Sequence, residues 1–278
     1  MHTSKIQQFL KIGFYTFTTL ICVITIICIS KRDKYINYGV DFSNGYNNGL
    51  IKLSNKYDNL YQLEFGIFDS TKYLKHLNYN FNADYSHNFI LYSFYDNYVL
   101  FLFSELTQSK HRGIVIAEHL AMESEGICSQ KTILFNELLR LKNFKTRVVR
   151  LNKHFCSEVF INGKWVFMDV GKKLQLIKMD TLYSAEEIKN SKKIFNEYYL
   201  KNIKNDHTDS TITYHFFDKV EYAEINSFPA QNLRQLHYFT FFISDFLWLI
   251  CIIISIYFYR KERTFTPHLS YSHSNETF

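Results

Sequence analysis

Proline is almost missing from this sequence: two residues in 278, beside nine glycines. That scarcity excludes collagen-like, proline-rich and glycine-linker architectures. Cysteine is sparse as well, with five residues, too few and too scattered for a disulfide framework. A strong charge of one sign is also absent. The net charge is +6, and between Lys31 and His237 there are 27 Lys/Arg against 23 Asp/Glu. That balance, with no nucleic-acid motif, argues against a nucleic-acid partner. What is abundant is aromatic: 27 Phe and 21 Tyr in a chain that is 47% hydrophobic. Such a chain is not disordered and is long enough to bury a sizeable core.

The mean hydropathy of −0.17 hides an uneven distribution. Residues 12–29, IGFYTFTTLICVITIICI, carry no charge, and about 20 apolar residues span a bilayer as a helix. Thr16, Thr18, Thr19 and Thr25 are tolerable there, because a hydroxyl can bond a carbonyl one turn back. A second run, residues 238–259, ends at Arg260, Lys261 and Arg263. Both are too uniformly apolar for amphipathic surface helices. The first run exceeds a usual signal-peptide core and no A-x-A-like site follows, so an uncleaved anchor is favoured. The expected organisation is a tail (1–11), a transmembrane helix (12–30), an N-terminal extension of an outer domain (31–88), a main domain (89–237), a transmembrane helix (238–259) and a basic tail (260–278). Two spans place both termini on one side. Lys5, Lys11, Arg260, Lys261 and Arg263 make that side cytoplasmic, although Lys31, Arg32 and Lys34 pull the other way. Asp245 falls inside the second span, where a carboxylate costs about 2.5–3.5 kcal/mol.

Within the central region, residues 37–49 read as turns and residues 50–68 as short strands. Residues 88–106 read as a largely buried helix, and 113–122 as a short one. A regular pattern follows. Ile133, Leu134, Leu138 and Leu141 repeat at helical spacing over 129–142. Residues 146–151, 155–161 and 164–170 are three short strands, with Asn162-Gly163 as a tight hairpin turn between the last two. Ser184-x-x-Glu187 is a capping box for a helix running to about Tyr198. Residues 211–217 are a further strand.

Three residues stand out by position. Cys128 follows Gly126 at the mouth of a helix, where unsatisfied N–H groups and the dipole stabilise a thiolate. Gly126 lets the backbone approach a substrate closely. His154 opens the second strand and Asp169 ends the third. Across the hairpin they can lie side by side, the carboxylate fixing the imidazole tautomer. The Cys128 backbone N–H suits an oxyanion hole.

The wording around these residues, GICSQKTILFNELLRLKNFKTRVVRL and then HFCSEVFINGKWVFMDV, resembles the transglutaminase-like superfamily. The matching positions are Gly126, Cys128, Arg147, Val148, Val149, His154, Glu158, Gly163, Lys164, Trp165 and Asp169. The resemblance covers roughly residues 89–200. It implies an α+β, papain/transglutaminase-like core: a Cys-bearing helix packed on an antiparallel sheet that carries His and Asp, here flanked by two transmembrane helices. It further implies acyl transfer or amide hydrolysis on a protein or peptide substrate through Cys128, His154 and Asp169, with no cofactor. Two departures are visible: Asn143-Phe144 stands where the family often has glycine, and Val170-Gly171 follows the Asp in place of a frequent proline.

Blander roles fit the other residues. Trp165 reads as core packing against the Cys helix, with substrate contact as the sharper role. Arg147 and Glu158 read as an ion pair or surface groups, and Cys156 as packing. His76, His87, His111, His119, His207 and His215 lack ligand spacing, so no metal is expected. Residues 128–178 hold eleven Lys/Arg and three Asp/Glu, a solvated face or a basic rim for an acidic substrate. The alternative function is a catalytically silent binding module for a surface polymer or membrane partner; a glycan-amide hydrolase is a third reading. The topology has a direct check. A reporter fused after Phe278 is expected to be active on the cytoplasmic side, and activity only on the outer side would overturn the assignment.

Overall fold

A computed structural model of the chain describes residues 2–31, 48–152, 154–203 and 214–265. It is a mixed α+β structure with an antiparallel four-stranded sheet and a long apolar helix at each end. The terminal helices, α1 (His2–Lys31) and α9 (Gln231–Phe265), are each long and apolar enough to cross a membrane, over Lys11–Lys31 and Gln231–Arg260. They run antiparallel: Phe14 packs on Phe258 and the Thr18 hydroxyl lies 3.3 Å from that of Ser255. Thr16, Thr18 and Thr19 donate to Ile12, Phe14 and Tyr15 carbonyls one turn back, as expected. Thr25 instead meets Tyr98. Both helices extend beyond the runs read from sequence, so the described part of the 1–11 tail and the first residues of the basic tail are helical.

Residues 48–65 are not strands. They form α2 (Asn48–Phe65), with Leu50, Ser54, Tyr57 and Tyr61 buried at a 4-3-4 spacing, the stripe of an amphipathic helix. Ser54 interrupts the apolar signal, leaving two short alternating stretches that imitate strands. The expected turns at 37–47 lie outside the described residues, and 48–49 open the helix. α3 (Ser70–Asp84) starts where Asp69 accepts the Lys72 N–H at 2.7 Å, an N-cap that satisfies an orphan donor. Tyr57 donates to Asp84 and Tyr73 to Asp58, while Tyr61, Phe65, Phe68, Tyr73 and His76 form one ring cluster between the two helices. Much of the aromatic excess is spent here.

The long buried helix expected over 88–106 is shorter and less buried. Residues 88–97 are bridges and turns, and only α4 (Tyr98–Thr107) is helical. The capping Asn97 explains the late start, since its side chain takes the Leu100 N–H at 3.0 Å. α5 (Ala117–Leu120) is a single turn. α6 (Cys128–Arg140) buries Ile133, Leu134, Phe135, Leu138 and Leu139. It ends where Asn143 adopts φ +62° and the Phe144 N–H reaches back to the Leu139 carbonyl. Asparagine thus fills the left-handed position that glycine commonly takes.

The sheet order is β3-β2-β1-β4, with β1 (Lys145–Leu151), β2 (His154–Ile161), β3 (Lys164–Met168) and β4 (Val220–Tyr222). Asn162 and Gly163 turn the β2–β3 hairpin at φ +49° and +81°, the pair of positive φ values that a tight hairpin requires. Ser184 and Glu187 form the expected reciprocal cap of α7 (Ala185–Lys189). That helix breaks at Asn190-Ser191 and resumes as α8 (Lys192–Ile194), which runs into a π-helical turn, Phe195–Leu200. The strand expected at 211–217 does not form over 214–217, which are a 3-10 turn; 211–213 lie outside the described residues.

Arg147 and Glu158 are a structural pair. Arg147 Nη2 lies 2.6 Å from the Glu158 carboxylate, whose side chain is 0% exposed and also takes the Ala185 N–H. The guanidinium is sandwiched between Trp165 and Tyr222, about 4 Å from each ring centre. Trp165 therefore does not pack on the Cys helix. By strand alternation it shares a face with Arg147, whereas α6 touches Thr146 on the opposite face through Arg140. Removing Arg147 leaves a buried carboxylate without its partner, a change that costs about 3–5 kcal/mol. Arg147→Ala is expected to lower the thermal midpoint in detergent accordingly, with Arg147→Lys recovering part of the loss; an unchanged midpoint would contradict this.

Candidate active site

The site forms where the open end of the β2–β3 hairpin meets the start of α6. Antiparallel register places Ser157 opposite Met168, so the next pair along the ladder is Cys156 with Asp169. His154 leans on the same end. Its Nε2 lies 2.7 Å from Asp169 Oδ2, and the ring and the Cys128 side chain converge on Gly171. The structure thus brings together the three residues singled out from sequence.

The electrostatics follow from the contacts. Asp169 is 0% exposed. Burial works against its charge, but His154, the Tyr199 hydroxyl at 2.6 Å and the Lys172 N–H at 2.9 Å outweigh it and hold the carboxyl below the usual range. Burial likewise opposes charge on His154, yet Asp169 first, then Cys156 and Cys128, push its pKa well above the ordinary imidazole value. For Cys128 burial raises the thiol, while the His154 hydrogen bond and charge, with the Phe155 N–H, bring it below the ordinary value. This is the electrostatic pattern of a thiolate–imidazolium pair with a carboxylate behind it.

Cys156 completes the cluster differently. His154, Cys156 and Asp169 offer ligand atoms within 4.8 Å of one another, which raises the question of a metal. Burial, aided by Asp169, pushes the Cys156 thiol up to about 12, and the His154 and Asp169 atoms are hydrogen-bonded to each other. Both cysteines are free, Cys128 half-buried and Cys156 buried.

Three contributors escaped the sequence. Tyr199 arrives from the π-helical turn, thirty residues after the aspartate it binds, with no motif to mark it. Gly171 is buried against all three chemical residues: a Cβ there would fall 2.8 Å from Cys128 Cβ, 2.9 Å from His154 Cε1 and 3.2 Å from Asp169 Oδ1. Its place after Val170 was visible only as a departure from the family wording. Gln130 fixes the start of α6, its carboxamide bonding the backbone of Ile90, Ile114 and Ile127. The expected supporting residues lie elsewhere. Gly126 is buried beneath Gln130 and Lys131, not presented to a substrate. Trp165 sits at the turn end of the hairpin, four residues or about 13 Å along the strand from Asp169. The basic run is largely spent internally: Lys131 is buried and donates to the Tyr85 carbonyl, Lys142 pairs with Asp58 and Lys164 donates to the Leu182 carbonyl. A concavity of about 180 Å³ lined by Asp58, Tyr61, Tyr73 and Lys142 lies at the far end of α6.

No family model, curated protein or solved structure matches the chain.

Two outcomes follow from the geometry. Gly171→Ala is expected to slow iodoacetamide alkylation of Cys128 on the order of tenfold, since sub-ångström displacement of reacting groups is costly; an unaltered rate would mean that this contact is slack. The His154–Asp169 pair also sets a pH window. Asp169, depressed, contributes stability that is lost as pH falls through its folded pKa. His154, raised, contributes stability present below about pH 6.5 and lost as pH rises through its folded pKa. The difference in thermal midpoint between the natural chain and Asp169→Asn is expected to peak between about pH 4 and 6.5 and shrink on both sides; a pH-independent difference would contradict the linkage.

Proposed function

We propose that this chain is a membrane-anchored thiol enzyme of the transglutaminase-like type, performing acyl transfer or hydrolysis on an amide carbonyl of a protein or peptide at the membrane surface. The observation that carries this reading is the imidazole of His154, hydrogen-bonded to a buried carboxylate and set beside a half-buried thiol at a helix N-terminus. That constellation has a direct chemical use and no evident structural one. A purely structural role would be served as well by apolar residues.

The chemistry runs as follows. The Cys128 thiolate attacks the carbonyl carbon, and the Cys128 N–H at the first turn of α6 serves the developing oxyanion. The His154 imidazolium gives its proton to the departing nitrogen as the carbon–nitrogen bond breaks, leaving a thioester. Water enters, loses a proton to the neutral imidazole and releases the acid. An amine acceptor would instead give a new amide. Asp169 keeps the imidazole oriented and supports its charge, and Tyr199 and Lys172 hold Asp169. In this account the terminal helices anchor the domain on the non-cytoplasmic side, with both termini in the cytoplasm.

The test is covalent trapping. The reconstituted chain, incubated with a peptide-amide acyl probe, is expected to gain the acyl mass on the Cys128 peptide and to release acid. Cys128→Ala and His154→Ala should abolish the adduct while remaining folded by circular dichroism. Absence of any adduct across roughly pH 5 to 9 in a folded natural chain would overturn the proposal and favour the binding module.

A further inference from the structure

Helix α4 reads YVLFLFSELT. A ten-residue, largely apolar helix is too short to cross a bilayer, and such a helix is ordinarily either core or interfacial. Its surroundings separate the two. Tyr98, Leu100 and Ser104 are buried, but Leu102, Phe103 and Leu106 are 47%, 42% and 85% exposed. Among the described residues, nothing covers this side of an apolar helix.

The covered side is fastened to both terminal helices. The Tyr98 hydroxyl lies 3.2 Å from that of Thr25 in α1. In α9, Asn97 donates to Thr240 at 2.8 Å, Ser244 donates to the Asn97 carbonyl oxygen at 3.0 Å, and the Val99 N–H reaches the Ser244 hydroxyl at 3.3 Å. Buried polar contacts of this kind fix depth as well as contact. Thr25 is six residues inside Lys31, about 9 Å along the helix. Ser244 is sixteen residues before Arg260, about 24 Å, hence about 6 Å inside the other face of a hydrocarbon layer about 30 Å thick. Reckoned from either helix, the first turn of α4 lies below the outer boundary. The exposed Leu102, Phe103 and Leu106 then form an apolar belt on α4, while α9 exposes Phe239, Phe242 and Phe246 on the side turned away from Thr240 and Ser244. Behind α4 come Lys110 and Arg112; Arg112 pairs with Glu105 at 3.4 Å and covers the Phe101 ring at 4.4 Å. That neutralises the charge nearest the belt and places cations at headgroup level, as interfacial helices do.

We infer that α4 is a third membrane element: a half-helix set in the outer leaflet, with lipid acyl chains covering Leu102, Phe103 and Leu106. The inference rests on the membrane-anchored reading of α1 and α9. It also gives that reading a spatial consequence. The segment carrying α4 leaves the domain after Ile90 and returns at Ile114, the two residues whose carbonyls Gln130 binds, and Gln130 is two residues from Cys128. The reactive thiol is thereby fastened to the root of a lipid-embedded loop, which suits acyl substrates displayed at the bilayer surface.

Tryptophan quenching by brominated lipids tests this in the full reconstituted chain. The natural Trp248 of α9, near mid-depth, reports on the spans, and Trp165 in the domain gives an unquenched baseline. Leu102→Trp and Leu106→Trp, each with Trp248→Phe, report on α4. The expected result is that lipids brominated near the headgroup quench at least about half of the added signal, and lipids brominated deeper quench less. Quenching of Trp248 without quenching at positions 102 and 106 overturns the α4 inference and leaves the anchors standing. Loss of quenching at Trp248 as well overturns both. A protein partner covering α4 would give the first of these patterns.

Discussion

A 2.7 Å hydrogen bond between His154 and a fully buried Asp169 is the contact to which the rest of the site answers. A carboxylate taken out of water is costly unless it is hydrogen-bonded, and here both oxygens are met: Oδ2 by the imidazole and the Tyr199 hydroxyl, Oδ1 by the Lys172 N–H. Meeting that demand constrains the fold. The hairpin register must set Asp169 beside His154, the π-helical turn must deliver Tyr199, and the chain after Asp169 must bend closely enough to present the Lys172 amide. Gly171 lies within that bend, at a point with no room for a side chain. The charge held on Asp169 raises the His154 pKa, and His154 in turn lowers the Cys128 thiol.

The two cysteines nearest the imidazole show how environment assigns roles. Cys128 stands at a helix start with partial access beside His154, and its thiol is lowered. Cys156, a buried sheet residue, is raised to about 12, chiefly by desolvation. The two thiols are shifted in opposite directions although both neighbour the same imidazole. The sheet below depends on a separate buried pair, Arg147 with Glu158, which also anchors the start of α7 through the Ala185 N–H. Polar contacts again decide how the domain meets the terminal helices, through Asn97, Tyr98, Thr240 and Ser244.

What could be read in the sequence was what local geometry decides. Asn162-Gly163 can hardly be anything but a hairpin turn, and Ser184 with Glu187 declares a helix start. Cys128, His154 and Asp169 were legible because a helix mouth and one hairpin bring them together with little help from the rest of the chain. Long-range choices were not legible. Tyr199 has no local mark, since its purpose exists only once the π-helical turn packs on the sheet. Trp165 was assigned to the wrong side because alternation says which residues share a face, not which face a helix will cover. The strand reading of α2 failed at Ser54, a small polar residue in a buried stripe. The burial expected for α4 did not reckon with an outer face that leaves Leu102, Phe103 and Leu106 exposed.

The central claim is that His154 lowers the Cys128 thiol below its ordinary pKa. Ultraviolet thiolate absorbance of the folded chain, taken as the difference from Cys128→Ala across a pH titration, measures this directly. The account requires a midpoint well below about 8.5, the ordinary thiol value, and a clear upward shift of that midpoint in His154→Ala, where burial remains and the imidazolium is gone. A midpoint at or above the ordinary value in the natural chain, unmoved by the loss of His154, would contradict it.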